Sequence, residues 1–222
     1  MTVPQNLQAV LWDMDGVIVD TFDEHYRAWG RIFAELGKPF TLEDFRRTFG
    51  MNNRNVFRTL LGYDLAEEEF QALSDRKERY FRESIHGHNQ MLPGVGEWLA
   101  RFDAWGVRQA LATSAPQENI DAHLAELGIA HWFTVLVSGE KLPGKPDPAV
   151  FLRAAELLDK APQHCLVIED SVAGVAAAKA GGMKCVAVLT TNPPEKLIAA
   201  DVVVKNLRDL TEEMVERIFG GG

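Results

Sequence analysis

The amino-acid sequence predicts an α/β fold, a doubly wound parallel sheet with an all-helical unit inserted after its first strand. Three observations carry that prediction. From residue 92 onward short apolar runs alternate with helix-spaced segments, the pattern of parallel strands joined by covering helices. The run Ala9-Val10-Leu11-Trp12 stops abruptly at Asp13-Met14-Asp15-Gly16, as a buried strand stops at the edge of a sheet. Residues 22–87, by contrast, show helical spacing and no strand-like run.

The first strand, residues 9–12, is apolar throughout and belongs inside the sheet. Alternation along a strand sends Asp13 and Asp15 to the same side if the extended geometry persists, and Gly16 then permits a sharp turn. The spacing of Tyr26, Trp29, Ile32, Phe33 and Leu36 predicts a helix that Gly37-Lys38-Pro39 ends. Thr41-Leu42-Glu43-Asp44 reads as the capped start of a second helix carrying Phe45 and Phe49. A third helix covers about 53–61 and stops at Gly62. A fourth covers about 66–85, where abundant Glu, Arg and Lys read mostly as a solvated face. His86-Gly87-His88 has no third ligand nearby and reads as the hinge back to the sheet. These boundaries divide the chain into a sheet domain, residues 1–20 with 88–222, and a helical domain, residues 21–87.

After Leu92-Pro93-Gly94 the elements alternate: helix 95–105, strand 107–112, helix 116–127 stopped by Gly128, strand 133–137. A loop through Gly144-Lys145-Pro146 leads to helix 148–158, strand 165–168 and helix 172–180. The stretch from Gly174 to Gly182 reads as alanine-rich helix with a glycine stop, and not as a phosphate loop. Strands 185–189 and 202–204 and a helix from about residue 210 complete the pattern.

At 222 residues the chain suits one domain with an insertion, and 46% hydrophobic against 25% charged residues suits an ordinary globular core. The formal net charge of −9 argues against nucleic acid or an anionic membrane as partner. A phosphate ligand would have to be recruited by local positive charge or by a metal. Cys165 and Cys185, each inside an apolar run, read as reduced core thiols of a cytoplasmic protein. No apolar run reaches membrane-spanning length and no leader pattern is present. Nothing in the sequence demands more than a monomer.

In a doubly wound sheet, ligands bind beyond the carboxyl ends of the strands. The residues there are Asp13 and Asp15, then Thr113-Ser114, then Lys145, then Glu169-Asp170. Each has an ordinary reading alone: an acidic turn, a helix cap, a solubilising lysine, an acidic helix start. Together they imply more. Paired carboxylates at a buried strand end repel each other and resist desolvation, and a hard divalent cation offsets both.

In this order and spacing, Asp13-Met14-Asp15-Gly16-Val17, Leu111-Ala112-Thr113-Ser114, Gly144-Lys145-Pro146-Asp147-Pro148 and Ile168-Glu169-Asp170-Ser171 resemble the four motifs of the haloacid dehalogenase superfamily. The resemblance spans essentially the whole chain. It falls in the branch with a Rossmann-like core and a helical cap that includes beta-phosphoglucomutase and many small-metabolite phosphatases. It implies a Mg2+-dependent enzyme acting on a small phosphorylated metabolite, with Asp13 as the nucleophile that becomes an aspartyl phosphate. Asp15 would protonate the leaving oxygen, activate water and give its backbone carbonyl to the metal. Its presence points to phosphate chemistry, since carbon–halogen cleavage needs no such acid. Thr113 and the Ser114 N–H would bind phosphate, and Lys145 would neutralise Asp13 and the phosphate together. Asp170, and Glu169 directly or through water, would complete the Mg2+ shell with Asp13 and Asp15.

The helical cap would select the substrate. Beta-phosphoglucomutases resemble this chain at His25, where the matching histidine positions the aspartate acid/base, and at Trp29 on the same helix face. Lys77 falls where the resemblance offers a basic residue facing the site. Mutases usually place an arginine at the position aligned with Asn53, to hold the second phosphate of a bisphosphate. Arg54 would substitute only by a one-residue slip, which turns a helical side chain by about 100°. The expectation is therefore a phosphatase for a small metabolite such as a sugar phosphate, with beta-phosphoglucomutase as the alternative of the same chemistry. A phospho-receiver domain also uses Asp, Mg2+, Thr/Ser and Lys, but has no use for a cap or a leaving-group acid.

Overall fold

The computed structural model describes residues 4, 6–85, 87 and 89–220. Six strands form one parallel sheet: β1 (Ala9–Trp12), β2 (Arg108–Thr113), β3 (Val135–Ser138), β4 (Cys165–Glu169), β5 (Lys184–Val188) and β6 (Val202–Val204), in the order β3-β2-β1-β4-β5-β6. The chain steps outward from β1 through β2 to β3, then returns to lay β4 on the other side of β1. This is a Rossmann-like, doubly wound α/β fold. β1 at its centre pairs Ala9 with both Arg108 and Cys165, and Trp12 with both Leu111 and Ile168.

Period-two alternation gives the sheet two unlike faces. Val10, Trp12, Leu111, Leu166, Ile168, Val186 and Val188 point to one side. There they meet α5 (Val95–Ala104), α6 (Gln117–Leu127) and α9 (Glu212–Phe219) through residues such as Trp98, Phe102, Ile120 and Val215. The other side carries Ala9, Leu11, Ala110, Ala112, Cys165, Val167, Cys185 and Ala187. Their small side chains let α7 (Ala149–Leu157) and α8 (Val172–Ala180) approach through Ala154, Ala155, Ala177 and Ala178. Both cysteines are buried free thiols, and burial pushes the Cys165 thiol up to about 11.

The insertion folds as four helices, α1 (Phe22–Glu35), α2 (Leu42–Thr48), α3 (Asn53–Leu61) and α4 (Glu67–Ile85). Thr41 and Asp44 form a reciprocal capping box at α2, and Gly62 ends α3 in the left-handed conformation. Trp29, Ile32, Phe33, Phe45, Phe49, Phe57, Phe70 and Leu73 make a core of their own, separate from those of the sheet.

Element existence and order follow the sequence pattern, and the shifts lie at element ends. β3 begins at Val135 instead of 133 because residues 130–132 close a tight 3₁₀ turn first. The last helix begins at Glu212, capped by Thr211, after another such turn over 207–209. α4 is less solvated than its composition suggests: Ser74, Lys77 and Glu78 are buried along with Phe70, Leu73, Phe81 and Ile85. The hinge reading of His86 and His88 lies outside the described residues. Among the described residues no helix is long and apolar enough to cross a membrane.

Phe57 is buried between Trp29 and Phe70, with ring centroids 5.0 and 6.2 Å away. Phe57→Ala should cost about 3 kcal/mol of stability, read as a lower urea midpoint. A loss under about 1 kcal/mol would show that the helical core collapses around the void.

Candidate active site

The site assembles where the strand order reverses, at the carboxyl ends of β1, β2 and β4. Asp13 follows β1 directly, and its N–H still donates to Ile168 O of β4 at 3.0 Å, so its carboxylate leaves from a fixed backbone. The strand does not run on to Asp15. Met14 O accepts from the N–H groups of Val17, Ile18 and Val19, which closes a tight turn. Extended alternation therefore fails after Asp13, yet both aspartates still line one pocket. Gly16 makes the turn at φ +79°, and a Cβ there would lie on the Asp170 carboxylate.

Lys145 reaches in from the β3–α7 loop, fully buried. Its Nζ lies 3.0 Å from Asp13 Oδ1 and 2.6 Å from Glu169 Oε1. The other Glu169 oxygen, Oε2, accepts from the backbone N–H groups of Asp170 and Ser171, both at 2.7 Å, and from Ser171 Oγ at 3.0 Å. Glu169 is thereby held as a bracket that aims Lys145 at Asp13. A bare α-carbon makes room for it: a Cβ on Gly174, inside α8, would overlap the Glu169 carboxylate. The Gly174–Gly182 stretch is helix as the pattern predicts, and its first glycine serves the site indirectly.

Asp13, Glu169 and Asp170 offer carboxylate oxygens all within 4.8 Å of one another, with Lys145 as the adjoining ammonium. Burial raises Asp13 to about 7, helped by Glu169 and Asp15 and opposed by Lys145. Burial and Glu169 likewise push Asp170 well above the usual carboxylate range, against its hydrogen bond from Thr191 at 2.5 Å. Asp170 Oδ1 is buried with no hydrogen-bond partner. Three carboxylates, one ammonium and an unsatisfied carboxylate oxygen fit a hard divalent cation. The side chain of Asp15 is not among these three.

Asp15 has the opposite environment. Its Oδ1 accepts from Thr21 Oγ1 at 2.6 Å and lies 3.2 Å from His25 Nε2. Burial acts to raise it, but His25 and the Thr21 hydroxyl outweigh that and hold it well below the usual carboxylate range. His25 stacks on Phe81 at 3.8 Å between centroids, and its Nδ1 is 2.9 Å from Lys77 Nζ. An ammonium only donates, so Nδ1 accepts and the ring proton sits on Nε2, facing Asp15.

Thr113 closes β2 inside the same pocket, its Oγ1 accepting from Ala115 N at 3.2 Å. The Ser114 hydroxyl donates to Gly50 O at 2.8 Å, tying the sheet to the α2–α3 turn. Helix α6 starts only at Gln117, behind Pro116, so the Ser114 N–H lies in the loop before the helix and outside its first turn.

Trp29, Asn53 and Lys77 line the pocket. Arg54 does not: it pairs with Glu67 at 2.8 Å, stacks on Phe70 and faces another groove. One turn of α3 thus presents Asn53 to the site and swings its neighbour away, as 3.6-residue periodicity requires. Sequence reasoning missed Glu78 and Asn119. Glu78 is buried and accepts from Asn53 and Lys77 at Oε1 and from Asn119 at Oε2. The signal was present, since residue 78 falls on the helical stripe through 70, 74, 81 and 85.

Two aspartates, a buried lysine and an acidic pair thus meet at the strand ends of a doubly wound α/β sheet. Residues 7–182 match the family model of haloacid dehalogenase-like hydrolases, and the chain belongs to that family. Over 217 residues it is 34% identical to beta-phosphoglucomutase of Bacillus subtilis, covering 94% of each chain. Over 182 residues it is 35% identical to a phosphorylated carbohydrates phosphatase of Thermotoga maritima, covering 80% of this chain and 83% of that one. The crystal structure of beta-phosphoglucomutase from Clostridium difficile superposes with a TM-score of 0.88 at 27% identity, covering 96% of this chain and 97% of the other.

Lys145 is the one cation bonded to this carboxylate cluster among the described residues. Lys145→Met, unfolded by urea in excess chelator at neutral pH, should lose about 3–5 kcal/mol, the cost of breaking a buried ion pair. Added Mg2+ should recover more stability in the variant than in the wild type.

Proposed function

We propose that this enzyme is a Mg2+-dependent phosphatase that hydrolyses a small phosphorylated metabolite such as a sugar phosphate. The observation that carries the reading is the pairing of two aspartates with opposed environments in one pocket. Asp13 lies against an ammonium and beside two further carboxylates; Asp15 is held by a histidine and a threonine.

In this reading Asp13 attacks phosphorus and the ester P–O bond breaks. The leaving oxygen takes a proton from Asp15, and an aspartyl phosphate remains on Asp13. Asp15 then takes a proton from water, which attacks phosphorus and frees Asp13 and inorganic phosphate. Asp15 is ionised before substrate arrives, and a phosphate dianion beside it favours its protonation. Lys145 and Thr113 hold the phosphoryl oxygens, with the Ser114 N–H. Asp13, Asp170, Glu169 and the Asp15 carbonyl would hold Mg2+, which supplies charge cancellation between nucleophile and phosphate. Glu169 already spends both oxygens on protein donors, which supports its acting through water.

Residues 21–87 are the substrate-selecting cap and residues 1–20 with 88–222 the catalytic core. Their separate hydrophobic clusters support that division. A mutase would need a fixed cation in the cap to grip a second phosphate. Asn53 brings no charge, Arg54 is engaged elsewhere, and Lys77 is paired with Glu78. The beta-phosphoglucomutase relatives keep the transferase reading as the competitor.

Asp13→Asn should lower kcat by several factors of ten with the fold intact; retention of more than about 1% of wild-type turnover, free of deamidation, would remove Asp13 from the nucleophile's role. Excess chelator should abolish activity and Mg2+ restore it, whereas Ca2+, with its larger and looser shell, should inhibit. Full turnover in chelator would refute the metal assignment.

Sugar and short-chain phosphates should release inorganic phosphate. Beta-glucose 1-phosphate with catalytic 1,6-bisphosphate should give little glucose 6-phosphate, and Asn53→Arg should shift the partition toward transfer. Rapid glucose 6-phosphate formation by the wild type without phosphate release would establish the mutase instead.

A further inference from the structure

Part of the pocket lining is built around a second buried carboxylate, Glu78 of α4. Glu78 Oε1 accepts from Asn53 Nδ2 at 2.8 Å and Lys77 Nζ at 2.9 Å, and Oε2 accepts from Asn119 Nδ2 at 2.7 Å. Burial acts to raise Glu78, but the Lys77 charge and the hydrogen bonds from Lys77 and Asn53 outweigh it, so the group stays ionised. Lys77 is the one lysine or arginine lining this pocket among the described residues. Its ammonium is committed to Glu78 and to His25 Nδ1, 5.3 Å from the ring centroids of Trp29 and Phe81. Asn119 is anchored in turn by Arg82, which donates to its Oδ1 at 2.9 Å.

A second anionic group on the substrate would meet Glu78 directly. To be neutralised it would have to draw Lys77 away, leaving a buried carboxylate without its cation, a costly exchange. Asn53, whose Oδ1 is left over from its bond to Glu78, instead presents an acceptor suited to hydroxyl groups, while Asn119 is taken up by Glu78 and Arg82.

We infer that Glu78 is a specificity-determining residue that restricts this enzyme to phosphomonoesters whose far end is an uncharged polyol, and that turns away bisphosphates and phosphorylated acids. This rests on the phosphatase reading above and deepens it. Repulsion is the selective element, with hydrogen bonds to hydroxyls as its attractive counterpart.

The test compares glucitol 6-phosphate, 6-phosphogluconate and glucitol 1,6-bisphosphate, which share a carbon chain and differ in the far end. Phosphate release by the wild type should favour glucitol 6-phosphate by at least about tenfold in kcat/KM. Calorimetric binding to Asp13→Asn with Mg2+ should show the same preference without turnover. Glu78→Gln should shrink the preference by about tenfold, and Glu78→Asp, which keeps the charge, should preserve it. If Glu78→Gln does not fold, Asn53→Lys serves: an ammonium beside Glu78 should shrink the preference. Equal binding and turnover of the three compounds would overturn the inference while leaving the phosphatase standing. A binding preference without phosphate release from any compound would support the inference and refute the phosphatase. A preference unchanged in Glu78→Gln would remove Glu78 from the role.

Discussion

The bond on which the rest of this structure depends is the contact of the Lys145 ammonium with Asp13 and Glu169, buried at the carboxyl end of the sheet. An ammonium withdrawn from water is tolerated only with carboxylates beside it, and carboxylates so withdrawn need the ammonium. Much local architecture follows from that mutual need. The β3–α7 loop must carry Lys145 inward, and β4 must end in a glutamate fixed by the N–H groups of the next turn. Helix α8 must then carry in its first turn, at Gly174, a residue with no side chain to let that glutamate lie flat. Asp13 is fastened to β4 through its own N–H, so Asp13 and the Glu169 bracket share one rigid edge.

The two aspartates show how a separation of two residues can produce opposite chemistry. Asp13 sits among other carboxylates at the sheet, where burial and repulsion favour taking up a proton or a cation. Asp15, beyond the turn, faces the helical unit and is held ionised by His25. The chain splits their fates by turning at Met14, and the helical unit completes the second environment. Neither half of the molecule would build the pair alone.

The parallel sheet and its helices were legible because each strand is a short apolar run closed by polar or glycine residues, as at Trp12–Asp13. Small residues at 154–155 and 177–178 recur with helical spacing wherever a helix lies close to the sheet. The residues at the strand ends were legible because a doubly wound sheet assigns them a common location. What stayed hidden depended on contacts far apart in the chain. Glu78 looked like one more solvated charge because its partners, Asn53 and Asn119, lie 25 and 41 residues away. Arg54 looked available because its capture by Glu67 and Phe70 is a packing outcome. The late start of α6 arises at Pro116, which caps the helix without a side-chain hydrogen bond.

The Ser114 hydroxyl on Gly50 O and the Asn52 amide on Leu142 O join the helical unit to the sheet domain. Asn119 on Glu78 adds a third bond between the two units. Bonds of that kind form only when no covalent chain passes between the two units at those points. A phosphate borne on a protein side chain or at the end of a polynucleotide would trail covalent chain through the seam and keep those bonds apart. Such a ligand would hold the two units apart and leave the pocket open to bulk water.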